Sequence, residues 1–238
     1  MKKTFRNLPT HVGVIMDGNG RWATNQNKSR TEGHKAGSLN IESLLDIAIE
    51  HGIKYVSLYA FSTENWKRPK LEVSYLFHLL RDFIQERLEP ISQKGVKILH
   101  SGSRKKLPKF VLNSLDLATH TTAKNKRIVA NFCINYGSQE EITNAIQSYI
   151  NHATSLSSLQ NKPIKPSDLE KYFYTSSLPP VDLVIRTAGE CRLSNFLLWQ
   201  SAYAELFFTN TLWPEFGQES FMEALAFFDS RKRKFGGL

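Results

Sequence analysis

Short apolar runs rich in β-branched and aromatic residues alternate along the chain with longer stretches of three-and-four spacing. The runs Val12 to Met16, Tyr55 to Phe61, Val96 to His100, Ile128 to Ile134 and Val181 to Ile185, with a shorter one over Glu205 to Phe208, predict strands. Between them, helical patterns fall at about 33–51, 70–93, 104–124, 138–153, 167–173 and 218–230. Strand and helix taking turns in this way predict an α/β fold: a mostly parallel, six-stranded sheet flanked by helices, in one domain over 1–238. Residues 1–10 are expected to form a flexible N-terminus, 231–238 a basic C-terminal tail, and the polar stretch Ser155 to Lys165 a loop. Ligands of such sheets sit beyond the carboxyl ends of the strands, so the residues just after each apolar run matter most.

The segment from Leu71 to Gly95 carries the clearest helical stripe. Val73, Leu76, Phe77, Leu80, Phe83, Ile84 and Leu88 share one face, and Pro90 predicts a kink or break where the pattern still runs on. A core-facing helix and the wall of a long apolar cavity both fit, and periodicity does not separate them.

Three strand ends carry chemistry. After the first apolar run come Asp17, Gly18, Asn19, Gly20, Arg21 and Trp22. Glycines let a backbone approach a ligand closely, successive N–H groups form an anion nest, and a guanidinium grips phosphate through two prongs. A carboxylate beside such a nest suggests Mg²⁺, which takes one or two carboxylates plus substrate oxygens and water. An ordinary Asp-Gly turn stays open as the plainer reading. A nucleotide P-loop is excluded, because no Gly-Lys-Ser/Thr follows. The second strand runs into Ser62-Thr63-Glu64-Asn65-Trp66-Lys67-Arg68-Pro69, a group of hydroxyl, amide, indole and guanidinium that also suits a helix cap. The third ends at Arg186 and continues through Glu190-Cys191-Arg192-Leu193-Ser194-Asn195, where Arg186, Arg192 and Ser194 suit a second phosphate group.

Composition removes whole classes. Hydrophobic residues at 41%, with 13 Gly and 9 Pro in 238 residues, exclude a disordered or collagenous chain. No uncharged apolar run is long enough for a membrane span, and no apolar stretch precedes Pro9, so no signal peptide is read and a cytoplasmic protein is expected. Cys133 and Cys191 lie far apart, without the spacing of a disulfide framework or a zinc ribbon. The 31 Lys and Arg against 22 Asp and Glu leave a formal charge of +9, which calls for nucleic acid, an anionic membrane or a multiply phosphorylated substrate. The charge falls in separate clusters: 1–35, then 94–109 with six cations and no acid, then Arg231 to Lys234. Arginines set singly beside Gly, Ser, Asn or Trp suit ligand contact better than a solvated face.

Together the stretches MDGNGRW, FSTENWKRP and RLSNFLLWQ, in this order and spacing, closely resemble the cis-prenyltransferases, the family of bacterial undecaprenyl diphosphate synthase. The resemblance runs from His11 to the terminal Gly237. It implies a homodimeric, Mg²⁺-dependent enzyme that adds isopentenyl diphosphate to an allylic diphosphate such as farnesyl diphosphate, with undecaprenyl diphosphate, the lipid carrier precursor for cell-wall synthesis, as the default product. A short- or medium-chain product, a non-catalytic partner subunit and a basic nucleic-acid-binding protein are the alternatives. No nucleic-acid partner is expected on the family reading, only transient peripheral contact with the inner face of the membrane as a long lipid leaves.

Carried over by position, the resemblance makes Asp17 the essential acid at the metal and Glu205 a second acidic position linked to it. Gly18, Asn19, Gly20, Arg21, Arg30 and His34 would bind the allylic diphosphate. Trp22, Thr63, Glu64, Trp66 and Arg68 match substrate-contacting positions, and Ser62 and Asn65 match positions associated with proton removal. Arg186, Arg192, Leu193 and Ser194 would bind isopentenyl diphosphate, and the apolar face from Val73 to Leu88, with strand residues near Val129, would form a tunnel for the growing chain. Cys191 departs from the family, whose members often carry His or Gln there, and is not expected to be a ligand. A neutral amide is scarcely basic, so Asn65 is read as orienting substrate while a diphosphate oxygen or water takes the proton.

Overall fold

Six strands, β1 (His11–Ile15), β2 (Tyr55–Ser62), β3 (Val96–Ser101), β4 (Ile128–Tyr136), β5 (Leu183–Arg186) and β6 (Glu205–Phe208), pair in the order β3-β4-β2-β1-β5-β6. Every pairing is parallel. This is a computed structural model, and it describes residues 5–155 and 163–232. Parts of the expected N-terminus, of the 155–165 loop and of the basic tail lie outside the described residues. Helices cover both faces, which is why the central strands read as unbroken apolar runs, all five residues of β1 being buried.

The helices are α1 (Asn19–Asn25), α2 (Arg30–Glu50), α3 (Lys70–Gln93), α4 (Lys109–Thr121), α5 (Ser138–Ser155), α6 (Pro166–Glu170) and α7 (Gln218–Asp229). The sequence pattern places α3 at its observed bounds, but α3 is not broken at Pro90; it runs on to Gln93. Helix α1 is absent from the sequence reading, where its residues pass for a turn. Helix α2 starts earlier than its apolar pattern because Ser29 and Glu32 form a capping box, with the Ser29 N–H donating to the Glu32 carboxylate at 2.8 Å. Helix α4 starts later than expected, after Pro108.

The main core lies between one face of the sheet and α2, α3, α4 and α7, drawing in Val12, Val14, Leu58, Phe132, Leu44, Phe77, Leu115 and Phe221. The other face is small and polar near its middle. His11 Nε2 lies 2.8 Å from Ser57 Oγ, Asn131 Nδ2 donates to Ser57 Oγ at 3.0 Å, and Ser101 Oγ donates to Asn131 Oδ1 at 2.8 Å. A smaller apolar cluster, with Phe196 and Leu197 against Ile15 and Val184, closes that face.

From β1 the chain crosses over to β2 on one side, and later it returns to β5 on the other side of β1. Connections leaving two adjacent parallel strands in opposite directions open a crevice at their carboxyl ends, the general binding position of such sheets. In register, Ile15 lies beside Arg186, so the crevice is bounded by the residues just after Ile15 and by Arg186 itself.

Burial lowers the pKa of two core histidines: His11, despite its contact with the Pro179 carbonyl, and His100, despite its contact with the Ile134 carbonyl. Below about pH 6.5 the unfolded chain takes up protons that the folded chain refuses, so stability is fully present above that pH and is lost as pH falls. The urea midpoint is expected to be level above about pH 7 and to decline between about pH 6.5 and 5.5, before carboxylates titrate. A level midpoint through that window would contradict the assignment.

Candidate functional site

Asp17 stands just past the end of β1, tied at its backbone to Thr187, whose Oγ1 accepts from Asp17 N–H at 2.9 Å and donates to the Asp17 carbonyl at 2.6 Å. Its Oδ1 accepts from the Gly18 N–H at 2.7 Å, and its Oδ2 accepts from Arg186 Nη2 at 2.9 Å. Arg186, with its side chain only 5% exposed, also donates through Nη1 to the Arg192 carbonyl and to Ser194 Oγ, both at 2.6 Å. A guanidinium this buried needs a carboxylate beside it. Arg186 Nε is buried without a hydrogen-bond partner.

On one side of Asp17 lies a cavity of about 460 Å³ lined by Gly18, Asn19, Gly20, Arg21, Arg30, His34 and Arg68. Gly18 has φ 105 and lies against Leu212 and Ala188, so neither the backbone nor the space admits a side chain. Helix α1 follows at once, pressed onto α2 where Gly33 and Gly37 face Asn19; a Cβ on either would run into Asn19 atoms. The first-turn N–H groups of α1 have no partner within the helix. Arg21 Nη2 donates to the Ala188 carbonyl at 2.7 Å and lies 3.7 Å from Glu190, which also pairs with Arg192 at 2.6 Å. Arg30, His34 and Arg68 gather on Glu72 of α3. Burial, then the neighbouring Arg68, lowers the His34 pKa, so His34 is neutral near pH 7.

On the other side lies a cavity of about 550 Å³, lined by Asp17, Tyr59, Ser62, Glu64, Asn65, Arg68, Arg186, Ser194 and Asn195. Thr63–Lys67 forms a short 3₁₀ turn, in which Asn65 Oδ1 accepts from the Ser62 N–H at 3.0 Å. With its oxygen so engaged, Asn65 offers the cavity an amide donor. Burial alone would raise the Glu64 pKa, but the hydrogen bonds led by Asn195 Nδ2, at 2.9 Å, outweigh it and hold the carboxyl below its ordinary value. Burial and the nearby Glu64 push the Tyr59 phenol up, so it stays protonated.

A third, apolar cavity of about 110 Å³ opens between the sheet and α2 and α3, lined by Ile41, Tyr59, Phe61, Phe77, Leu80, Phe83 and Phe132 among others. Leu80, Phe83 and Phe132 also line a deeper apolar hollow that reaches Leu88, Ile91, Ile98 and Leu115. Met16 borders all three cavities around the crevice, and Asp17 and Arg68 border both polar ones.

The remaining expected residues sit apart from these walls. Trp66 packs on Phe61 and Phe77 while its indole donates to Asn135 Oδ1 at 2.7 Å. Trp22 lies under the Lys28 ammonium, 4.7 Å from its ring centre. Leu193 packs onto the smaller apolar cluster. Glu205 opens β6 beside Leu183, at the opposite end of the sheet from Asp17, and pairs with Arg231 at 3.3 Å; within one chain it does not join Asp17. Parallel register carries the start of β6 away from the crevice, so within one chain Glu205 and Asp17 lie at opposite ends of the sheet. In the basic 94–109 stretch, Lys94 is paired with Glu42 and Asp46, and Arg104 with Asp116, rather than directed at either cavity. Both cysteines are free.

Sequence reasoning missed Glu72, Tyr59, Met16 and the tying role of Asn195. The Asn195 Oδ1 accepts from the Gln139 N–H, and its carbonyl accepts from the Ser138 N–H, each at 2.9 Å, while its amide reaches Glu64. None of these contacts leaves a local sequence signal. Among the described residues no three His, Cys, Asp or Glu side chains converge on a metal position. The Asp17 carboxylate, 35% exposed and bordering both cation-lined cavities, fits Mg²⁺ completed by phosphate oxygens and water, not a cation held wholly by protein.

A family model described as putative undecaprenyl diphosphate synthase matches residues 15–236. The chain is 57% identical over 233 residues to an isoprenyl transferase of Leptospira interrogans, covering 98% of this chain and 96% of that one. It is 44% identical over 229 residues to the decaprenyl diphosphate synthase of Mycobacterium leprae, covering 96% and 77%. Its structure superposes with TM-score 0.92 on lavandulyl diphosphate synthase from Lavandula x intermedia in complex with dimethylallyl diphosphate, at 32% identity, covering 96% of this chain and 98% of that one. A probable undecaprenyl diphosphate synthase from Campylobacter jejuni superposes with TM-score 0.80 at 31% identity, covering 97% and 99%.

Asn195 holds its bonds from a left-handed backbone, φ 65, which disfavours other side chains. Asn195→Gly loses the side-chain bonds alone and is expected to cost about 1–3 kcal/mol in urea unfolding. Asn195→Ala adds the backbone strain, about 1 kcal/mol more. Equal losses would show that strain plays no part.

Proposed function

The chain belongs to the undecaprenyl diphosphate synthase family of cis-prenyltransferases, and within it we propose an active, Mg²⁺-dependent enzyme that adds isopentenyl diphosphate repeatedly to farnesyl diphosphate to give undecaprenyl diphosphate. Members of the family transfer prenyl groups, and their substrates are isoprenoid diphosphates. The observation that carries the proposal is the meeting of two cation-lined cavities with one apolar cavity at Met16, with Asp17 bordering both cation-lined ones.

On this reading the allylic diphosphate lies against Arg21, Arg30, His34 and Arg68, with its hydrocarbon in the apolar cavity. Isopentenyl diphosphate lies against Arg186, Arg192 and Ser194. The C–O bond to the allylic diphosphate breaks and inorganic diphosphate leaves with the electron pair. The double bond of isopentenyl diphosphate attacks the freed allylic carbon, and loss of a proton from its second carbon forms the new double bond. The arginines are already aimed where negative charge grows, so little reorganisation is needed as the bond breaks. Holding both diphosphates in place contributes further, within a general range of about 7–11 kcal/mol for well-oriented reactants. Asp17 would hold Mg²⁺ together with diphosphate oxygens, where the cation would supply positive charge opposite the leaving group. Asn65, its oxygen engaged by Ser62, orients substrate, and a diphosphate oxygen or water takes the proton.

A long product is favoured by the apolar lining along α3. From Phe77 to Ile91 that helix advances about 21 Å, and both apolar hollows lie beside it. The upper cavity of about 110 Å³ is smaller than the roughly 150 Å³ that houses a benzene, so Leu80, Phe83 and Phe132 must move apart as the chain grows. A homodimer belongs to the same proposal: β6 is an edge strand, and exposed Leu206 and Tyr203 supply apolar surface beside it. No helix among the described residues is long and apolar enough to cross a membrane, so release of the lipid to a bilayer is proposed as surface contact.

Purified protein with Mg²⁺, farnesyl diphosphate and labelled isopentenyl diphosphate is expected to yield butanol-extractable polyprenyl diphosphate. Asp17→Ala is expected to abolish it with an unchanged circular dichroism spectrum. No product from the wild type would refute the proposal. Mass analysis of the dephosphorylated lipid reads its length, and Leu80→Trp, by blocking the passage to the deeper hollow, is expected to shorten it; an unchanged length would remove that passage from the chain's path.

A further inference from the structure

Two arginines and a neutral imidazole of the first cavity converge on one oxygen. Glu72 Oε1 lies 2.9 Å from Arg68 Nη1, 3.0 Å from Arg30 Nε and 3.5 Å from His34 Nε2. Glu72 comes from the first turn of α3, whereas Arg30 and His34 come from α2 and Arg68 from the turn before α3. Its side chain is 15% exposed and that of His34 10%, while Arg30 is 60% exposed, so the cluster has one dry side and one wet side. The contact at His34 is a near approach and not a hydrogen bond: His34 Nε2 is buried with no hydrogen-bond partner. A buried donor or acceptor left in this state is costly, and a phosphate oxygen or water in the cavity would satisfy it. The cations thus stand where an anion belongs, and a carboxylate occupies part of that place.

We propose that Glu72 is a displaceable internal anion. It holds Arg30, Arg68 and His34 in position while no diphosphate is bound, yields them to an entering diphosphate, and competes with inorganic diphosphate after each condensation so that the leaving group departs. The proposal rests on the reading of the first cavity as the allylic diphosphate site. Repeated addition makes a demand on such a site that a single transfer does not. After every step one diphosphate must leave it before the lengthened chain's diphosphate can enter. Cations gathered without a competing charge would retain a multiply charged anion. A carboxylate fixed to α3 never diffuses away, and its tether gives it a high effective concentration beside the same cations. It carries a single charge, so a substrate diphosphate still displaces it.

The test is equilibrium binding of inorganic diphosphate by calorimetry, without Mg²⁺, to the full-length protein. Glu72→Gln keeps the shape and removes the charge, and is expected to bind inorganic diphosphate about tenfold more tightly than wild type; in turnover assays, inhibition by added diphosphate is expected to strengthen in parallel. Glu72→Asp, which keeps the charge, is expected to bind much as wild type does, and Glu42→Gln, removing an acid paired instead with Lys94 and Arg87, is expected to change nothing. Arg30→Ala is expected to weaken binding in every background. If Arg30→Ala has no effect, the site reading fails and the inference with it. If Arg30→Ala weakens binding but Glu72→Gln binds no more tightly than wild type, the site reading stands and Glu72 is only a positioning group, which overturns the inference alone. Urea unfolding of Glu72→Gln checks that the variant compared is folded.

Discussion

The ion pair between Asp17 and Arg186 is the interaction on which the rest of the site depends. It joins the ends of β1 and β5, the two neighbouring strands whose connections leave in opposite directions, and so spans the crevice that such a topology opens. Arg186 is too deeply buried to stand there without a carboxylate, and Asp17 supplies it at 2.9 Å. The remaining donors of that guanidinium fix the Arg192 carbonyl and Ser194, which sets the path of the loop on the β5 side. On the β1 side, the carboxylate accepts from the Gly18 N–H, which fixes the left-handed turn that starts α1. One ion pair, buried on its Arg186 side, therefore orders both polar cavities and the wall between them.

The same construction sets how charge is arranged around the crevice. Free of ligand, the cavities are not bare positive holes. Asp17 neutralises Arg186, Glu72 gathers Arg30 and Arg68, and Glu190 lies between Arg21 and Arg192. On the proposed function, diphosphate binding is then an exchange of anions at preset cations, not the first neutralisation of a cluster that would otherwise repel itself. Pairs that include long, half-exposed arginines are individually weak, so the exchange meets little resistance. At these positions five arginines, Arg21, Arg30, Arg68, Arg186 and Arg192, share three acids, Asp17, Glu72 and Glu190, so only a small part of the net +9 gathers here. The 94–109 stretch illustrates the same point away from the site, where Lys94 and Arg104 turn to acids of α2 and α4.

What the sequence made legible follows from what each signal measures. The five main apolar runs became strands because a parallel sheet covered on both faces demands uninterrupted β-branched and aromatic residues, and α3 was bounded correctly because its stripe is long and regular. Helix α1 was not legible: Asn19, Gly20 and Arg21 favour a turn locally, and the helix is held by close contact with Gly33 and Gly37, which no local pattern reports. Pro90 looked like a stop because its missing N–H removes a helical bond, yet α3 packs against the core on either side of it at Ile84 and Ile91. Asp17 and Arg186 stand out in the sequence because each falls at the end of an apolar run, and Ser194 because it lies in the polar stretch after one. Glu72 was passed over because it reads as one more acid in the first turn of an amphipathic helix.

Glu205 shows how nearness in sequence and place in the fold come apart. It lies close in sequence to the Arg192 and Ser194 loop, but a parallel strand returning to the sheet begins at the amino end, far from the crevice where its predecessor finished. Adjacency in the motif thus becomes separation in the fold. Asn195 shows the converse: its three bonds join the Thr63–Lys67 turn, the start of α5 and its own loop, segments scattered along the chain and brought together only because strands β2, β4 and β5 all end on one side of the sheet. In a parallel sheet, distance along the chain says little about which residues meet; the end of the strand at which a residue falls says much more.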